Sequence, residues 1–242
     1  MSRWDQYFCE VDGSTASFVL DLDLFAQAPI RTRPYVLRIR IRMIDPREDG
    51  LSSDEEAQTL GEIESALESA IGVCAVLAGR YTVNKVRTIV FYCDDESRVD
   101  LVAPVFRDLY PFHKHTAFVQ EDVEWVTYCE FLYPDLLTLR SMTNRDQCAR
   151  MEKLPETPVE ILHRFASVDA GFIAEAVARG FREGARDGDV VSIVRADEID
   201  LETIDLLTHP LVKLAAEFGG EYLGWEIYQS TTDPSSSSIR TL

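Results

Sequence analysis

Between residues 35 and 43 the chain alternates without a break. Leu37, Ile39, Ile41 and Met43 fall on one side and Arg38, Arg40 and Arg42 on the other. Only an extended backbone, whose side chains point to opposite faces in turn, keeps these two sets apart; a helix would mix them. The segment therefore commits the chain to a sheet with one apolar and one polar face. Residues 18–25 alternate as well, with Leu20, Leu22 and Leu24 opposed to Asp21 and Asp23. A hairpin through residues 26–34, which hold two prolines, sets Asp21 opposite Arg40 and Asp23 opposite Arg38. Each such cross-strand pair contributes roughly 0.2–1 kcal/mol. On this reading the arginine ladder is structural rather than a grip for a phosphate or an acidic partner.

Beyond this hairpin the pattern changes period. Ser52 and Ser53, each followed three residues later by Glu55 or Glu56, give a doubled capping-box signature. Ala57, Leu60, Ile63, Leu67 and Ile71 then recur at helical spacing as far as Gly72. Residues 73–79 and 86–92 read as buried strands joined around 81–85. A short helix is expected within 99–110, with Pro104 in its first turn. Residues 118–133, carrying Trp125, Tyr128, Phe131 and Tyr133, read as an aromatic strand.

The second half predicts a helix over 136–154, a strand over 159–165 and a helix with the apolar face Phe172, Ile173, Ala176, Val177 and Phe181. A turn at 184–188, a strand over 190–195, a helix over 200–218 containing Pro210, a Gly219-Gly220 stop and a strand over 222–228 follow. The fold class is α+β, as two tandem α/β-sandwich domains. The expected bounds are 1–134 and 135–230, with 231–242, which holds four successive serines, as a flexible tail.

Charge narrows the function. With 42 acidic and 24 basic side chains the net charge is −18, a field that repels phosphate backbones, so direct nucleic-acid binding is not expected. No apolar run is long enough to span a membrane, and the first residues lack the apolar core of a signal peptide. Cys9, Cys74, Cys93, Cys129 and Cys148 are scattered, which suits free thiols in a reducing cytosol. His113 and His115 with Glu121 or Asp122 lack a third ligand at a characteristic spacing, and His163 and His209 stand in no nucleophile motif. No phosphate-binding glycine loop occurs. Catalytic residues, metal ligands and cofactors are accordingly expected to be none. Asp94-Asp95-Glu96 and Asp197-Glu198-x-Asp200 sustain the alternative, a metal-dependent hydrolase or nuclease with carboxylate ligands.

Several blocks of the second half occur in a recognisable order. They are Asn144-Arg145 in the lead helix, the strand over 159–165, Ala176-Val177-Ala178-Arg179-Gly180-Phe181, Gly188-Asp189-Val190-Val191, and a closing stretch with Glu221-Tyr222-Leu223-Gly224-Trp225-Glu226. From about residue 137 to 229 the chain resembles the bacterial regulator of ribonuclease E activity B family. The resemblance implies a ferredoxin-like domain, here with a shortened or absent edge strand between Phe181 and Asp187. It also implies a cytoplasmic, non-catalytic regulator that inhibits a ribonuclease E-like endonuclease by binding the enzyme. Residues 4–133 resemble a bacterial domain of unknown function that precedes such modules, through the Asp21/Asp23 strand, Asp49-Gly50-Leu51, Ala78-Gly79-Arg80, Trp125 and Tyr128. The expected partner surface is the closing strand, with Glu221, Tyr222, Trp225 and Glu226; for Trp225, core packing competes with that role.

Overall fold

A computed structural model describes residues 2–151, 153–155 and 157–228. The chain divides into two compact units, Met1–Pro134 and Asp135–Leu242. The expected tail over 231–242 lies outside the described residues. The fold is α+β, and each unit has its own antiparallel sheet. Among the described residues no helix is long and apolar enough to cross a membrane.

The first unit is a six-stranded sheet. Its strands are β1 (Trp4–Val11), β2 (Ser14–Asp21), β3 (Tyr35–Arg42), β4 (Ala75–Val83), β5 (Val86–Cys93) and β6 (His115–Glu121), in the order β1-β2-β4-β5-β3-β6. Helices α1 (Asp54–Ile71) and α2 (Val102–Leu109) cover one face. There Leu37, Ile39, Ile41 and Met43 meet Leu60, Ile63, Leu67, Ile71, Val105 and Phe106. Both alternation and helical spacing thus select the residues that form this core. Ser53 caps α1, accepting a hydrogen bond from the Glu56 amide.

The expected hairpin of residues 18–25 with 35–43 is not formed. β3 lies between β5 and β6, while β2 lies between β1 and β4. β2 ends at Asp21, and Leu22–Ala26 turn as a 3-10 helix. The Asp21 carboxylate accepts the amides of Arg3 and Asp23, so it caps a turn instead of facing an arginine. β1, which the patterning did not pick out, supplies the partner that β2 needs.

The aromatic segment is also not one strand. β6 stops at Glu121, and Thr127–Leu132 form a π-helical turn. Asp122 makes the break. Its carboxylate accepts the Tyr92 hydroxyl at 2.7 Å and the amides of Val126 and Thr127 at 2.8 and 3.0 Å. Trp125, Tyr128 and Leu132 are spaced for a helix, and they lie buried against the sheet face that α1 and α2 leave open. Trp125 stacks on Tyr92 with centroids 3.8 Å apart, and Phe131 meets Phe18 and Tyr81 edge-on.

The second unit begins with α3 (Leu136–Ala149). It continues as β7 (Val159–Ala166), α4 (Phe172–Ala178), β8 (Arg182–Asp187), β9 (Val190–Asp197), α5 (Leu201–Glu217) and β10 (Glu221–Ile227). The sheet order β10-β7-β9-β8 with a βαββαβ sequence is a ferredoxin-like arrangement preceded by one helix. The edge strand β8 is present and short, with a register shift between Glu183 and Arg186. Residues 184–188 are therefore mostly strand, and the turn sits at Gly188-Asp189. Gly184 reads as a turn signal, but it is needed for close approach: a Cβ there would lie 2.5 Å from Ser192 Oγ. Asp200 caps α5 through a reciprocal box with Thr203.

Candidate interaction site on the C-terminal unit

β10 is an edge strand, the position expected for it, and among the described residues its outer side has no neighbouring strand in the sheet of the second unit. Its residues divide sharply. Glu221 and Glu226 are exposed, while Tyr222 and Trp225 are each only 5% exposed. In a regular strand, residues three apart face opposite sides. Here the register against β7 shifts between Tyr222 and Gly224, which returns Trp225 to the face of Tyr222. Gly224 makes the shift possible, with φ at 145°, a conformation L side chains rarely adopt.

Both rings are held by polar groups from α3. Trp225 Nε1 donates to Asn144 Oδ1 at 2.9 Å, and Gln147 Nε2 donates to the Trp225 carbonyl at 2.7 Å. The Arg140 guanidinium lies 4.6 Å from the Tyr222 ring centroid and donates to the Tyr222 carbonyl. Arg140, Asn144 and Gln147 recur at intervals of four and three, one stripe of a helix. That stripe lies along β10 and supplies donors to two of its carbonyls. Asn144, fully buried, also donates to Asp205 Oδ1 and Thr208 Oγ1 on α5. The strand edge is thus partly sealed from within its own domain.

Beneath Tyr222 lies His163, buried on β7. Its Nδ1 is 2.8 Å from the Tyr222 hydroxyl, and Nε2 has no hydrogen-bond partner. Burial pushes the imidazole pKa down to about 3, with Arg195 and Arg140 adding to the shift, so the ring is neutral. The same burial pushes the Tyr222 phenol up. On the opposite sheet face Arg164 pairs with Glu226 at 2.7 Å and Arg182 with Glu160 at 2.7 Å. Tyr222 and Trp225 therefore shape the site from inside, and Glu221 and Glu226 are what it presents to solvent.

Residues 2–133 match a family of unknown function, DUF695. The chain belongs to this family. The DUF695 match ends one residue before Pro134, the last residue of the first unit, so β10 and α3 lie outside it. No curated protein matches the chain.

Within the DUF695 unit the histidine and carboxylate candidates diverge. His113 Nε2 lies 3.4 Å from Glu56 Oε1 at the start of α1, whereas His115 stacks on Phe106. Asp122 serves Tyr92 and the turn after β6, as described above. Asp94 pairs with Arg98, and Asp95 accepts the Ser97 amide. In the second unit Asp197 pairs with Arg195 and Asp200 caps α5. Among the described residues no group of three or more histidine, cysteine or acidic side chains is arranged to hold a metal ion. Arg140 and Gln147, which the sequence does not single out, join the described site, as does His163, set aside in the sequence for want of a nucleophile motif. The signal available for the first two was their helical spacing to Asn144.

Proposed function

We propose that the protein is a non-catalytic regulator that binds a protein partner through its second unit, the partner being a ribonuclease E-like endonuclease that it inhibits. One observation carries this reading. Residues 159–227 adopt the βαββαβ order behind a lead helix, which is the arrangement implied by the resemblance to the regulator of ribonuclease E activity B family. The closing block Glu221–Glu226 that marks the resemblance forms a structured edge. Its outward acids would steer it to a basic surface, and its aromatic residues would hold their spacing. The reading assigns the protein to the bacterial cytosol, a setting that its five free thiols suit.

The test is binding of the full chain to a ribonuclease E-type enzyme, with cleavage assayed in parallel. Binding should accompany inhibition, and Glu221→Lys with Glu226→Lys should slow association while leaving the fold intact. Absence of both binding and inhibition at tens of micromolar would reject this function and leave the fold unaffected.

A further inference from the structure

We infer that the arginine ladder of β3 and the neighbouring edge strand β6 form a second docking surface, one that receives an extended acidic segment of a partner protein. The register removes the structural explanation for the ladder. Arg38 lies between Val90 and Phe118, Arg40 between Thr88 and Thr116, and Arg42 beside Val86, with its amide donating to the Lys114 carbonyl. No carboxylate faces any of them from the adjacent strands. Among the described residues Arg38, Arg40, Arg42 and Lys114 make no ion pair, whereas Arg47, Arg80, Arg98 and Arg107 of the same unit all do. Three arginines without ion pairs on one sheet face, with Lys114 just before the edge strand, stand out in a chain of net charge −18. Arg40, Arg42 and Lys114 are exposed, and Arg38 Nε is buried without a hydrogen-bond partner.

Spacing and edge specify the ligand. Arginines two residues apart on a strand are separated by about 6.6–6.8 Å, the same repeat as carboxylates at every second position of an extended peptide. β6 ends the sheet, so its outer side can pair with an added strand. Thr116, Phe118 and Gln120 are exposed along it. The Arg38 guanidinium sits 4.7 Å from the Phe118 ring centroid, so it leans from β3 across β6 towards that edge. An added strand would stand about 9.6 Å from β3, which arginine and glutamate side chains together can span. Guanidinium groups pair with carboxylates through two parallel hydrogen bonds.

The same features disfavour single-stranded RNA. Binding unstructured nucleic acid relies on aromatic faces for base stacking. The Phe118 face is occupied by Arg38, and the overall charge opposes a polyanion.

The probe is a fluorescein-labelled peptide of alternating glutamate and threonine, titrated into the full chain at low salt. It should bind in about the tens-of-micromolar range, weaken with salt, and shift amide resonances of residues 115–121. The double variant Arg40→Glu/Arg42→Glu should weaken it about tenfold or more with an unchanged circular dichroism spectrum. Arg40→Gln/Arg42→Gln is the milder variant if the first fails to fold. No binding, equal binding by the folded variant, or tighter binding of an octameric uridine oligonucleotide would each overturn the inference. None of these results bears on the site of the second unit.

Discussion

Trp225 and Asn144 are 81 positions apart in sequence and meet through a buried hydrogen bond of 2.9 Å. The amide also serves Asp205 and Thr208, so one side chain joins α3, α5 and β10. Truncation by Asn144→Ala would leave the indole N–H without its acceptor in the core. An unsatisfied buried group costs about 1–3 kcal/mol, and the variant should lose roughly that amount or somewhat more. Urea titration followed by tryptophan fluorescence measures it. A loss below about 0.5 kcal/mol would show that the contact does not hold α3 in place.

The buried imidazole of His163 gives the second unit a pH dependence of known sign. The folded-state pKa is lowered to about 3, while the unfolded chain titrates near the usual 6.5. Between these values the unfolded state binds the proton and the folded state does not. Stability should therefore fall as pH drops below about 6.5, with a slope approaching 1.4 kcal/mol per pH unit. His163→Gln should remove about one proton from that linkage. Urea midpoints from pH 7 to about pH 4.5, compared between the two proteins, separate this from carboxylate effects. Parallel curves would contradict it.

Asp122 should be among the more sensitive positions of the first unit. Burial alone would raise its pKa, but the Tyr92 hydroxyl and the amides after β6 outweigh this and lower it. Asp122→Ala strands those donors and releases the turn that carries Trp125 and Tyr128. A loss of about 3 kcal/mol is expected, together with a red shift of tryptophan emission. A blue-shifted, fully stable variant would be incompatible with this arrangement.

Gly224 is required by its backbone. Gly224→Ala keeps every side-chain contact but forces a Cβ into a conformation that costs about 1–3 kcal/mol. Thermal unfolding should register the change. If the variant is as stable as the parent, the shift of register in β10 does not depend on glycine.

The sequence revealed the elements more readily than their neighbours. Alternation in β3 and helical spacing in α1 identify core residues because burial imposes those periods directly. Strand order is different. Asp21 and Asp23 have the right parity to face Arg40 and Arg38, and parity is all that local patterning supplies. The neighbours of β2 are β4 and β1, and the exposed, weakly patterned residues of β1 gave little sign of a strand. Trp125, Tyr128, Phe131 and Tyr133 looked like strand residues because aromatic side chains favour strands, yet the buried Trp125, Tyr128 and Leu132 have helical spacing and Asp122 turns the chain. At the candidate site the aromatic pair was visible, but its burial depends on a bulge that adds one residue to the count. The α3 stripe was hidden because Arg140, Asn144 and Gln147 are residues usually found at a surface.

The stripe of α3 has a consequence for the order in which the protein can be made. Its partners on β10 leave the ribosome some eighty residues after it does. With its buried face holding Asn144 and few apolar residues, α3 has little to dock on until α5 and β10 emerge. The first unit, complete at Pro134, has no such wait. A nascent chain stalled before residue 221 would therefore present one finished domain followed by an open one, whose unclosed sheet edge is a target for chaperones and proteases.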